Sequence, residues 1–158
     1  MKASRTRRTG FTLIEVLMVV AILVLLAGVA IVAVTGSGEK AKIKLVRPLL
    51  AQVGDALERY KLDIGNYPTE EEGNLDALRK RPEYDDEKTA DMWAGPYLKS
   101  EPIDPWGNKV SFLLTEAGTD EAQLVPYKLW SFGPNKQDDN GAEDDIRNRA
   151  WEESEEAE

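Results

Sequence analysis

The 158-residue sequence contains neither cysteine nor histidine. Without cysteine there is no disulfide framework and no thiolate chemistry. Without histidine there is no imidazole to carry protons near neutral pH. Together the two gaps argue against zinc centres and nucleophile–histidine triads. They do not identify a compartment, because an exported protein can do without disulfides.

Positive charge is also scarce, with 20 Lys and Arg against 29 Asp and Glu and a net charge of −9. Four of the cations, Lys2, Arg5, Arg7 and Arg8, fall within the first ten residues. Without that segment the balance is 16 against 29, or −13. So acidic a body argues against nucleic acid as a partner, since binding there is dominated by phosphate neutralisation. The length suits one modest domain with appendages and not two sizeable cores.

What is present begins with an apolar run. Every residue from Val16 to Val34, 19 in all, is apolar or glycine. A helix needs ~20 such residues to cross the hydrocarbon core. The preceding basic residues keep the N-terminus cytoplasmic and send the remainder outward. Three readings fit. One is a secretory signal cut at Gly36-Ser37-Gly38, although its apolar stretch normally has ~7–15 residues. The second is a plain signal anchor, which leaves Glu15 unexplained. The third is a leader cut ahead of the run, which then stays on the mature protein.

A basic leader followed by Gly10-Phe11-Thr12-Leu13-Ile14-Glu15 and an apolar run resembles the class III signal of type IV pilins and pseudopilins. The resemblance implies cleavage between Gly10 and Phe11 by a prepilin peptidase, followed by N-methylation of Phe11. It also implies that Glu15 pairs with the terminal amine of a neighbouring subunit during assembly. Physical chemistry is consistent with such a role. A bare carboxylate costs ~2.5–3.5 kcal/mol at mid-bilayer. The helix dipole offsets part of that near a helix N-terminus, and a new α-ammonium supplies an opposite charge.

Beyond Thr35-Gly36-Ser37-Gly38, the residues Val46, Leu49, Leu50, Val53, Leu57, Tyr60 and Ile64 recur at three- and four-residue spacing. That is the core-facing stripe of an amphipathic helix. Gly28, the Gly36–Gly38 cluster and Pro48 are candidate weak points, Pro48 as a kink or restart. Gly65-Asn66-Tyr67-Pro68-Thr69 reads as a turn, and Glu72–Arg81 as a short helix with Leu75 and Leu78 on one face. Asp104-Pro105-Trp106-Gly107-Asn108 is a tight turn whose Trp106 can plug a core. Val110–Leu114 and Gln123–Phe132 have strand composition, with Pro126 demoting the second to an edge or broken strand. The expected architecture is α+β: one long helix on a small antiparallel sheet.

Tyr60-Lys61-Leu62-Asp63, Tyr67-Pro68-Thr69, Gly95-Pro96-Tyr97-Leu98, Asp104-Pro105-Trp106-Gly107 and Ser131-Phe132-Gly133-Pro134 follow one another in the order of the major pseudopilin family of type II secretion. By that resemblance the fold is pilin-like, with a calcium-binding C-terminal loop. The expected divisions are a leader over 1–10, a transmembrane and filament-core helix over 11–38, a periplasmic domain over 39–151 and an acidic, disordered and solvated tail over 152–158.

The resemblance implies a single-pass inner-membrane subunit of a helical filament, and not an enzyme. Its expected partners are copies of itself, minor pseudopilins, the prepilin peptidase and an inner-membrane assembly platform with its ATPase. The filament supports export of folded proteins across the outer membrane. A type IV pilin or competence pseudopilin is the neighbouring alternative. A membrane-anchored hydrolase using Asp144 and Asp145 is a more distant one.

The loop between Asn135 and Asp145 carries Asp138, Asp139, Asn140, Glu143 and Asp144 as well. A charge run of this kind is ordinarily a solvated surface. An EF-hand fails on register, because aligning Gly141 to the loop glycine puts Lys136 and Arg147 at the end positions. The family resemblance implies Ca²⁺ held by Asn135, Asp144 and Asp145, with the Phe132 backbone carbonyl. Asn135 stands where that family has an aspartate, which removes one charge; Asp138 or Asp139 is available to compensate.

Overall fold

The computed structural model describes residues 12–156, leaving aside the side chains of 26–37. It has two units, one ending at Glu39 and one beginning at Lys40. Helix α1 covers Leu13–Ile64. In the first unit its apolar side chains from Leu13 to Leu25 are exposed. Apolar exposure on that scale marks a surface normally covered by lipid or protein. Among the described residues, no helix is long and apolar enough to cross a membrane. The spanning segment expected over 11–38 extends outside them, at Phe11 and through the side chains of 26–37.

The weak points anticipated in α1 do not interrupt it. Helix runs through Gly28, Gly36–Gly38 and Pro48 without a restart. Proline removes the one hydrogen bond that its N–H would give the Lys44 carbonyl. On either side of Pro48, Val46 and Leu50 are buried, so packing holds the helix across the defect.

The second unit has its own core. Val46, Leu50, Val53, Ala56, Leu57, Tyr60 and Ile64 face inward from α1 and meet Tyr67, Ala77, Leu78, Leu98, Trp106, Val110 and Leu129. The expected stripe is therefore the core face, with Leu49 partly buried at its margin. Glu72–Arg81 holds a 3-10 turn at Asn74–Leu78 in place of an α-helix, and Leu78 is fully buried. A helix not expected from the sequence, α2 (Glu87–Met92), is capped by the Asp86 carboxylate, which accepts from the Thr89 N–H.

The sheet has three antiparallel strands in sequence order, β1 (Ser111–Leu114), β2 (Tyr127–Ser131) and β3 (Ile146–Arg147). Ser111 faces Trp130 and Leu114 faces Tyr127, while Trp130 faces Arg147. The run Gln123–Phe132 is not one strand. Its start belongs to α3 (Asp120–Leu124), whose cap Thr119 accepts from the Ala122 N–H. Pro126 precedes β2 by one residue, where no ladder donor is needed, so β2 is central and not an edge. The described residues end with α4 (Arg149–Glu156), so the tail expected to be disordered and solvated from Glu152 is helical through Glu156.

Tyrosines tie α1 to the rest of this unit. Tyr60 and Tyr84 share a hydrogen bond of 2.8 Å, Tyr97 donates to Asp63, and Tyr67 donates to Glu58. Burial, then Asp63, pushes the Tyr97 phenol up to about 12; burial, then Glu58, does the same for Tyr127. An unfolded tyrosine ionises near ~10. The raised values therefore contribute stability that is complete below pH ~10 and lost as pH climbs towards 12. Melting temperature should be flat from pH 8 to 9.5 and fall steeply beyond 10. Tyrosinate absorbance should appear with unfolding; normal titration of all five tyrosines in the folded protein would contradict this.

Candidate functional site

Two regions hold the site residues expected from sequence. Of the first, Gly10 and Phe11 lie outside the described residues. Glu15 sits in the first turn of α1, exposed, and its N–H bonds the Thr12 carbonyl and hydroxyl. The second region is the acidic loop between β2 and β3.

That loop is folded by its own side chains. Asn135 gives its backbone N–H to Asp144 Oδ2 at 2.8 Å and its amide N–H to Asp139 Oδ2 at 2.8 Å. Its Oδ1 accepts from the Gln137 N–H. Asp145 Oδ2 accepts from the N–H groups of Asp139 and Gly141, at 3.1 and 2.8 Å. Asp138 Oδ1 accepts from the Trp130 indole at 2.9 Å and from the loop's own Asn140 N–H at 3.1 Å. The structure thus brings Asn135, Asp139, Asp144 and Asp145 into one network and ties Asp138 to the sheet.

Asp145 bears most on the loop's chemistry. Its Oδ1 is buried with no hydrogen-bond partner. Burial pushes its carboxyl above the usual carboxylate range, and the charges of Asp139 and Asp138 add to that. The Gly141 and Asp139 N–H groups pull in the opposite direction. A partly buried, half-satisfied carboxylate beside further acids is an environment that a cation would relieve. Among the described residues, no three acidic, histidine or cysteine side chains already form a metal-holding group. The hard oxygens present suit Ca²⁺, which draws on carboxylates, amides and backbone carbonyls together.

Nothing in the sequence pointed to what backs the loop. Trp151 of α4 is buried against Trp130, ring centroids 5.9 Å apart, with Phe132 packed on the pair. Arg147 and Lys128 lie over the Trp151 ring. Gly141 has φ +81°, and a Cβ there would run into that ring. Glu152 of the same helix takes a two-pronged ion pair from Arg47 on α1, at 2.8 and 3.2 Å. The glycine sets the loop against the Trp151 indole of α4, and the ion pair ties α4 to α1.

Residues 33–149 match the family model described as type II secretion system (T2SS), protein G. The chain belongs to that family. Residues 5–31 separately match the prokaryotic N-terminal methylation motif. The chain is 34% identical to the type II secretion system core protein G of Pseudomonas aeruginosa, covering 93% of this chain and 97% of that one. It is 38% identical to the core protein G of Escherichia coli K12, covering 94% of each. The fold is similar to the crystal structure of the major pseudopilin from the type 2 secretion system of enterohaemorrhagic E. coli. That match has a TM-score of 0.52 and 28% identity, over 72% of this chain and 91% of that one.

As a member of the protein G family, the chain is a pseudopilin, a structural subunit of type II secretion. This selects among the readings left open by the sequence in favour of the secretion pseudopilin. Protein G membership also accounts for the long helix on a small sheet, the α+β arrangement seen here.

Proposed function

We propose that this pseudopilin is made as a precursor, cut between Gly10 and Phe11 by a prepilin peptidase, and N-methylated on Phe11. The mature subunit is held in the inner membrane by 11–38 with its second unit in the periplasm. From there it is drawn into a helical filament of like copies. Minor pseudopilins and an inner-membrane assembly platform are its partners, and the filament supports passage of folded proteins across the outer membrane. No catalytic step is assigned to it. Glu15 pairs with the new α-ammonium of a neighbouring copy. In the acidic loop, Asn135, Asp144, Asp145 and the Phe132 carbonyl hold Ca²⁺, with Asp138 or Asp139 supplying the charge that Asn135 lacks.

The observation that carries this reading is the methylation-motif match over 5–31, directly ahead of the protein G match. Mass spectrometry of protein taken from membranes tests it. The expected N-terminal peptide begins at N-methyl-Phe11. A mature chain that keeps Met1, or one that begins at Glu39, would remove the processing step and with it the role of Glu15.

A further inference from the structure

Positive charge is distributed unevenly outside the leader. Lys40, Lys42, Lys44 and Arg47 lie within eight residues, and no acidic residue occurs from Lys40 to Gly54. All four belong to α1. Lys40, Lys44 and Arg47 are spaced by four and three residues, which puts them on one helix face, and all three are exposed. Beside them Leu45 is 62% exposed and Ile43 38% exposed. Lys42 reaches the Trp106 ring at 5.8 Å, and Arg47 is held by Glu152, so Lys40 and Lys44 are the outward charges.

We propose that this basic collar binds the phosphate headgroups of anionic phospholipid in the membrane that holds the subunit before assembly. The inference rests on the membrane-anchored reading above. Five residues lie between Val34, the end of the apolar run, and Lys40. Fully extended, the six steps from Val34 to Lys40 reach no further than about 21 Å. The collar therefore lies no further than that from the end of the apolar run, whatever conformation the intervening chain takes.

Cations interleaved with exposed Leu and Ile suit an interface with headgroups and upper acyl chains. The rest of the mature chain is strongly acidic, so an anionic surface repels it and attraction concentrates at the collar. Each cation near such a surface strengthens binding about fivefold. Two outward lysines would then hold the base of the second unit against the membrane by a factor of roughly 25. An acidic face of a second copy is the competing occupant.

The lack of native cysteine makes the test direct. The full-length chain carrying Ala41→Cys and a single fluorophore is reconstituted into phosphatidylcholine vesicles, with or without phosphatidylglycerol, and with a headgroup quencher. Flotation is read on both vesicle types. The expected result is flotation with both, and stronger quenching with phosphatidylglycerol. The increment should vanish in about 0.5 M salt, where screening shortens to roughly 4 Å. Lys40→Gln and Lys44→Gln should each lower the ratio of held to released probe about fivefold.

Flotation with both vesicle types but equal quenching in them overturns the collar and leaves the anchor standing. Quenching indifferent to the lysine substitutions does the same. Energy transfer between labelled copies, growing with protein density and indifferent to lipid charge, assigns the surface to a second copy instead. Failure to float even with neutral vesicles overturns the anchored reading itself, and the collar with it.

Discussion

Millimolar calcium is expected to raise the melting temperature of the Lys40–Glu158 unit by on the order of 10 °C. A ligand at a hundred times its dissociation constant stabilises by ~2.7 kcal/mol, and for a domain near this size each kcal/mol moves the midpoint by roughly 4 °C. The physical reason lies in Asp145. Its Oδ1 is buried without a partner while Asp138, Asp139 and Asp144 crowd the same loop. A dication there would satisfy the orphaned oxygen and cancel the mutual repulsion in one step. Asp145→Ala should abolish the calcium increment, and Asp144→Ala should reduce it sharply.

Asp145→Ala also loses two backbone hydrogen bonds that brace the loop, so its metal-free midpoint will fall too. The reading to take is therefore the difference with and without calcium, not either midpoint alone. Asn135→Asp restores a charge and should tighten binding, since ligand charge tunes affinity in oxygen sites. Magnesium, which keeps its waters and demands a compact octahedron, should do little. An identical midpoint from zero to ten millimolar calcium, in this unit and in the detergent-solubilised full chain, would end the calcium reading.

The loop's acidic residues were legible in the sequence because charge announces itself in composition. Their support was not. Trp151 meets Gly141 and Trp130 across the sheet, and Glu152 meets Arg47 from more than a hundred residues away. Periodicity sees only neighbours along the chain, so neither contact leaves a local trace. The same logic explains the misread tail. Glu152-Glu153-Ser154-Glu155-Glu156 looks solvated by charge, yet one buried indole and pairs from Arg47 and Arg147 to Glu152 and Glu155 keep it helical against the domain.

Local signals succeeded where local physics decides. The α1 stripe from Val46 to Ile64 is the core face because helical spacing alone puts those side chains together. The Asp104–Asn108 turn formed as its residues require. Asp104 Oδ1 accepts from the Trp106 and Asn108 N–H groups, Gly107 takes φ +96°, and Trp106 is buried. Proline misled at Pro48, where packing outweighed one missing hydrogen bond. At Pro126 the run breaks, one of the two outcomes expected there, but the strand that follows is the central one and not an edge. Proline reports where a donor is missing; whether a donor was needed there depends on tertiary structure.

Glu15→Val is expected to leave insertion and cleavage intact while filament assembly and secretion fall at least about a hundredfold, as the following energies require. Removing a carboxylate from an apolar run makes insertion easier by ~2.5–3.5 kcal/mol, so any loss cannot come from poorer insertion. On the proposed reading, what the substitution removes is the partner of the Phe11 α-ammonium. Two unit charges at ~4 Å and an effective dielectric near 20 attract by ~4 kcal/mol. Three-quarters of that is already more than a hundredfold in a subunit contact. Glu15→Gln keeps the shape and drops the charge, so it should fail like valine; normal assembly by the glutamine variant would show that the charge is not what matters. Because the amine exists only after the leader is cut, the two defects should not add. In a processing-blocked background, made by replacing Gly10, Glu15→Val should cost nothing further. A double variant much worse than the blocked parent would mean that Glu15 works through some contact other than the new N-terminus.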